Sequence, residues 1–251
     1  MGEYTIHSEL VLIGSINKAS GKGETVGTGI LLEYSSNVYI ATCRHVFLET
    51  KNKKDLFAIP KLKKTLNPKN GYSIINLDIP FSHKDESANS TYDIVIFKVS
   101  TPKNVLYENG INPIILSEKY CENDATKEYY IKSFPVDHVE NNFKENNEEI
   151  LFPKVIKGKL ENIDISIIDQ EGFCGRLKEG KYLKIKETES MGKGSSGGLV
   201  YCENELEHII PVGVILGSID VMTTYKDGTK EKIYGIIFGS ILRVLEIIKS
   251  I

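Results

Sequence analysis

The chain has 251 residues, enough for one large domain or two compact halves with a sizeable core. Its 31 Lys and Arg against 34 Asp and Glu leave a net charge of −3, without the basic bias expected of a nucleic-acid or membrane-surface protein. No apolar run reaches the roughly 18 residues of a transmembrane helix, so no membrane partner is expected.

At the N-terminus, Met1-Gly2-Glu3-Tyr4-Thr5-Ile6 has neither a basic region nor a continuous apolar stretch, so no secretory signal is expected. Ile6 also departs from the myristoylation pattern. Short apolar or alternating runs follow at 10–16, 28–32, 38–42, 56–59, 73–79, 93–99, 129–134, 151–156, 163–168, 182–185, 199–201, 209–216 and 232–238. Turn formers punctuate them, among them Ser35-Ser36-Asn37, Asn67-Pro68-Lys69-Asn70-Gly71 and Lys226-Asp227-Gly228. Many short strands with little helix predict an all-β sandwich or barrel. One helix is predicted at the C-terminus, capped by Ser240, with Ile241, Val244, Leu245, Ile248 and Ile251 at three- and four-residue spacing. Its apolar stripe should dock on the barrel behind it.

Two segments carry unusual charge. Residues 51–69 hold seven lysines against Asp55, and residues 137–149 hold five acids against Lys144. Each reads first as a solvated loop, and alternatively as a docking surface for a charged partner. A polar stretch between residues 113 and 127 separates two strand-rich halves, giving domains 1–120 and 121–251. The four cysteines at 43, 121, 174 and 202 show no paired spacing, so they read as reduced, mostly buried thiols of a cytoplasmic protein.

The chemistry is concentrated in three places. Thr42-Cys43-Arg44-His45 and Tyr92-Asp93-Ile94-Val95 precede Gly194-Ser195-Ser196-Gly197-Gly198. A serine flanked by glycines, preceded by a histidine and an aspartate, is what nucleophilic acyl transfer needs. The hydroxyl is a poor nucleophile until an imidazole takes its proton, and a carboxylate must hold that imidazole in one tautomer. The glycines allow a tight turn that aims N–H groups at the developing oxyanion.

The serine motif has three rival readings. Gly194-Ser195-Ser196-Gly197-Gly198 also fits the nucleophile elbow of α/β-hydrolases, but that fold places its histidine well after the serine. Here only His208 follows, with no room for the intervening elements. A phosphate-cradling loop needs a Gly-Lys-Ser/Thr ending and a following helix, and both are missing. A Gly/Ser-rich hairpin without chemistry would account for the pentapeptide alone, but not for the ordered set of three. His7, His83, His138 and His208 lie among polar or turn residues and read as surface histidines; His83 and Asp85 form the one alternative dyad.

As a set, these motifs resemble the chymotrypsin/trypsin-like serine peptidases, whose triad runs His, Asp, Ser. Val26-Gly27-Thr28-Gly29 and Tyr39-Ile40-Ala41-Thr42-Cys43-Arg44-His45 look like the strand pair leading to that family's histidine. Gly194 to Val200 matches its nucleophile loop, with Leu199 where proline is common. Val212-Gly213-Val214-Ile215-Leu216-Gly217-Ser218 looks like the strand walling the primary specificity pocket. The resemblance covers roughly residues 8 to 240. It implies two perpendicular Greek-key β-barrels, with His45 and Asp93 on the first and Ser196 on the second. It further implies an oxyanion hole from the N–H groups of Gly194 and Ser196, and no cofactor or metal.

Departures from the pattern are informative. No cysteine leads into Ser196, which agrees with a reducing compartment. Zymogen members carry an aspartate immediately before the nucleophile; this chain has Ser195, so activation by an inserted N-terminus is not expected. The chain looks more like the bacterial branch of the family, without room for a PDZ module. At the pocket base stands Ser190, and Leu216 and Gly217 complete the expected substrate-binding set; an apolar preference is expected, with a basic one through the adjacent Glu189 as the alternative.

The resulting expectation is a cytoplasmic serine endopeptidase acting on protein or peptide substrates. A protease in the cytosol needs restraint, so a regulatory protein partner in a bacterial stress or defence system is part of that expectation. The alternative from another class is a catalytically silent version of the same fold serving as a protein-binding module.

Overall fold

A computed structural model describes residues 9–16, 23–49, 56–59, 75–76, 93–108, 110–117, 128–137, 153–160, 181–185, 191–204, 208–224 and 230–251. Most of these residues are in β-strands, which form two sheets followed by a C-terminal helix. The first sheet has the strand order β5-β4-β1-β2-β3-β6. Its strands are β1 (Leu10–Ile16), β2 (Gly23–Tyr34), β3 (Asn37–Cys43), β4 (Leu56–Ile59), β5 (Ile75–Asn76) and β6 (Ile94–Lys98). A two-residue strand, β7 (Ile114–Ile115), pairs parallel with β2, while the other pairings are antiparallel.

The second sheet is a closed six-stranded barrel in the order β10-β13-β12-β11-β8-β9. It contains β8 (Tyr129–Ser133), β9 (Lys154–Leu160), β10 (Lys181–Ile185), β11 (Leu199–Glu203), β12 (Ile209–Thr224) and β13 (Lys230–Ser240). Two-residue alternation decides what each face buries. On β8 and β11, Tyr129, Ile131, Val200 and Cys202 join Ile156, Ile215, Ile236 and Phe238 in one cluster. The intervening positions Leu199, Tyr201, Val214, Leu216 and Ile237 join a second cluster with β1, β2, β3 and β6. One apolar core therefore runs across both sheets.

The turn predicted at Ser35-Ser36-Asn37 joins β2 to β3. Ser35 and Ser36 both take positive φ, 48° and 67°, the left-handed pair that suits a two-residue hairpin. The predicted C-terminal helix is present as α3 (Ile241–Lys249), with the Ser240 hydroxyl accepting from Leu242 N–H at 3.3 Å. Ile241, Val244, Leu245, Ile247 and Ile248 are buried, each worth about 1.5–3 kcal/mol relative to exposure. The helix lies against β6 of the first sheet as well as β12 and β13, so it fastens the two halves together. Ile251, expected on the buried stripe, is 48% exposed because the helix ends before it.

Two further helices were not anticipated: α1 (Arg44–Glu49) and α2 (Lys103–Glu108). Each has six residues, too few to show a helical period in sequence. The predicted strand at 163–168, most of the two charged segments, and the polar stretch chosen as domain division (residues 118–127 of it) lie outside the described residues. Among the described residues, no helix is long and apolar enough to cross a membrane.

Candidate active site

Strand register brings His45 and Asp93 together. β3 and β6 pair antiparallel from Tyr39↔Lys98 to Cys43↔Ile94. One step further along that ladder, Arg44 faces Asp93, and the Arg44 N–H donates to the Asp93 carbonyl at 3.0 Å. There β3 turns into α1. The Asp93 Oδ1 accepts the backbone N–H of His45 at 2.8 Å, and Oδ2 pairs with the ring Nδ1. With a carboxylate at Nδ1, that nitrogen carries the proton and Nε2 is left with its lone pair. The imidazole is 14% exposed and the carboxylate 9%, so the ring keeps a solvent-facing edge while its partner is enclosed.

The loop at residues 194–198 fits into a fork in the first sheet. The β2–β3 ladder runs from Tyr34↔Asn37 only as far as Ile30↔Ala41. Beyond it, where the register would set Gly29 opposite Thr42 and Thr28 opposite Cys43, the two strands are no longer paired. The Thr28 N–H donates to the Ser196 carbonyl at 2.9 Å, and the Thr28 carbonyl accepts from Thr42 Oγ1 at 2.6 Å. Gly197 sits in this fork. A Cβ there would lie 1.9 Å from the Thr28 oxygen and 2.3 Å from Thr42 Oγ1, and its φ is +85°, so only glycine fits. The Gly197 N–H and Cys43 Sγ both donate to the Ile215 carbonyl, each at 2.8 Å. The loop is thereby tied to the residue that stands two before His45.

The two adjacent serines differ. Ser195 is buried, and its hydroxyl donates back into its own loop, to the Met191 carbonyl at 2.5 Å with the Gly192 carbonyl at 3.1 Å. Ser196 is partly exposed. Of the two serines, Ser196 is the more exposed.

Peptide planarity fixes the direction of the neighbouring N–H groups, because C=O and N–H of a trans peptide point opposite ways. The Lys193 carbonyl accepts from Val136 N–H at 2.8 Å, which turns the Gly194 N–H away from Val136. The Ser195 carbonyl accepts from Gly198 N–H at 3.0 Å, which does the same for the Ser196 N–H. Neither Gly194 N–H nor Ser196 N–H donates to an acceptor among the described residues. Gly194 holds φ at +92°, a conformation that suits glycine.

Leu216 and Gly217, expected to bind substrate, lie at a bulge in β12 where the pairing with β13 steps from Ile215↔Phe238 to Gly217↔Ile237. Leu216 is 5% exposed and packs in the core shared by the two sheets, close to Gly239; Gly217 is partly exposed. Ser190 and Glu189 lie outside the described residues, as do His83, Asp85, His7 and His138. His208 is exposed, as expected of a surface histidine.

Two further groups were not read from the sequence as part of this site. Cys43 is fully buried and outside any disulfide, as expected of it, and its Sγ lies within 4.8 Å of the ligand atoms of His45 and Asp93. Thiolate, imidazole and carboxylate are donors that a zinc-class ion accepts. Here the thiol is hydrogen-bonded to Ile215 and the imidazole to the carboxylate, an organic arrangement already satisfied within the chain. The other is Thr28, fully buried at the base of the fork. Its motif, Gly27-Thr28-Gly29, was legible as a strand but not as a hydrogen-bonding centre.

A different polar group links the halves elsewhere. Lys132 of β8, fully buried, pairs with Glu9 just before β1 and lies 5.7 Å from the centre of the Tyr201 ring. Burial pushes its ammonium down from the ordinary value, against the pull of the Glu9 carboxylate.

No protein-family model matches the chain, and no curated protein matches it in sequence.

Proposed function

We propose that the protein is a serine endopeptidase of the trypsin-like kind, with Ser196 as nucleophile, His45 as general base and Asp93 as the group that orients it. The observation that carries this reading is the fork between β2 and β3. Its Thr28 N–H holds the Ser196 carbonyl, while its other arm, β3, runs directly into His45 and the Asp93 pairing.

In the reaction, Ser196 Oγ attacks a peptide carbonyl as His45 Nε2 takes the hydroxyl proton. The oxyanion is received by the N–H groups of Gly194 and Ser196, each worth about 3 kcal/mol. The intermediate collapses, the C–N bond breaks and His45 gives its proton to the leaving amine. Water, activated by the same imidazole, then hydrolyses the acyl-enzyme. Asp93 keeps the ring in the productive tautomer and stabilises the imidazolium.

On this reading the two sheets are perpendicular Greek-key barrels, divided near residue 120, with the cleft between them receiving a protein or peptide substrate. Ser190 and Gly217 contribute to a pocket for an apolar side chain, and Leu216, buried in the core, supports it from behind. The enzyme works in the cytoplasm, where a protein partner restrains it; purified alone it is active. Incubation with a proteome-derived peptide library tests the reaction: new termini should appear with the wild type and not with Ser196→Ala. A library left intact by both would favour a binding module built on the same fold.

A further inference from the structure

We infer that Thr28 is a positioning residue for acyl transfer, acting on the nucleophile loop from the first sheet; the inference rests on the peptidase reading. Four hydrogen bonds meet at this one side chain and backbone. Its Oγ1 accepts the Phe134 N–H at 2.9 Å and donates to the Gly194 carbonyl at 3.0 Å. Its N–H donates to the Ser196 carbonyl at 2.9 Å, and its carbonyl accepts the Thr42 hydroxyl at 2.6 Å. Thr28 is fully buried, so no solvent competes for these groups.

The consequence follows from where the two held carbonyls stand. Gly194 and Ser196 bracket the segment that carries both oxyanion donors and the nucleophile. A hydroxyl bond to the first carbonyl and a backbone bond to the second fix that segment at both ends. Phe134 is two residues before Val136, whose N–H turns the Lys193–Gly194 peptide. Through Phe134, the Thr28 hydroxyl therefore also steadies the strand end that orients the Gly194 N–H. The chain thus couples the sheet bearing His45 to the loop bearing Ser196 through one side chain that touches neither the substrate nor the reacting atoms. Threonine suits the position because one hydroxyl accepts and donates at once.

A saturable fluorophosphonate probe tests this, since its maximal rate and its half-saturation are read separately. Thr28→Val keeps shape and removes the hydroxyl. It should lower the maximal labelling rate at Ser196 by on the order of 10²-fold, the effect of a misplacement near 1 Å, with half-saturation changed less than about 3-fold. Thr28→Ser and Thr28→Ala share the same lost methyl and differ by the hydroxyl alone, so they decide the matter if the valine variant does not fold. Serine should label within about 5-fold of wild type and alanine on the order of 10²-fold more slowly, measured well below each melting temperature. Equal rates for the serine and alanine variants, or a loss seen only in half-saturation, would overturn the inference while leaving the peptidase reading standing. A wild type that does not label at Ser196 would overturn both.

Discussion

Asp93 holds His45 twice, by the backbone and by the ring. Its Oδ1 accepts the His45 N–H at 2.8 Å and its Oδ2 pairs with Nδ1. The same carboxylate therefore places the start of α1 and chooses the tautomer. Asp93→Asn should lower kcat by on the order of 10⁴ near neutral pH, because an amide can present its N–H to Nδ1 and leave the proton on Nε2. Near-wild-type turnover in steady-state assays would show that another acid orients the ring, with Asp85 the first to examine.

The Glu9–Lys132 pair sets a second expectation, for stability. Both side chains are enclosed where the two halves meet, so removing one partner strands a buried charge. Lys132→Met should destabilise the protein by about 3–5 kcal/mol in denaturant unfolding at neutral pH. Adding Glu9→Leu should recover much of that loss, because the uncompensated carboxylate is then gone. No recovery in the double variant would mean that the pair's packing against Tyr201, rather than its charge balance, dominates.

Glu33 gives a pH-dependent prediction. Burial would raise its carboxyl, but hydrogen bonds from Lys103 and Tyr107, with the lysine charge, outweigh it and hold the group below its ordinary 4.5. A carboxyl with a lowered folded value contributes stability above the unfolded value and loses it as pH falls through the folded one. The stability difference between wild type and Glu33→Gln should thus be present at pH 7 and shrink below about pH 4.5. Tyr107, pushed up to about 12 by burial and by Glu33, behaves in the opposite sense. Its contribution is complete below about pH 10 and is lost as the pH rises toward 12. Thermal melts across the pH range check both arms; a difference constant from pH 7 to pH 3 would contradict the first.

Local pattern was legible wherever a strand is bounded by turns and buried on a face. The runs at 10–16 and 56–59 coincide with β1 and β4. The run at 209–216 marks only half of β12, which continues to Thr224 because the polar stretch beyond pairs with β13. β9 lies at Lys154–Leu160 rather than 151–156: Ile156 and Gly158 face inward, and the exposed Lys157 and Lys159 complete the alternation. The site residues could be named because Ser, His and Asp chemistry leaves a mark in sequence. The fork at Thr28 could not, since Thr28 meets partners 14, 106 and 166 residues away. Contacts at those separations depend on where the β2–β3 ladder stops, which no local pattern encodes. Nor could sequence tell the two serines apart except by motif, whereas the inward hydrogen bond of Ser195 does so directly.

Labelling by a fluorophosphonate probe, with the modified residue mapped by peptide mass, tests the central claim most directly, because it requires an activated serine and no knowledge of the substrate. The account predicts a single adduct on Ser196, abolished in Ser196→Ala and retained in Ser195→Ala, whose hydroxyl is engaged within its own loop. An adduct on Ser195, or a folded wild type that gives no adduct at all, would contradict it.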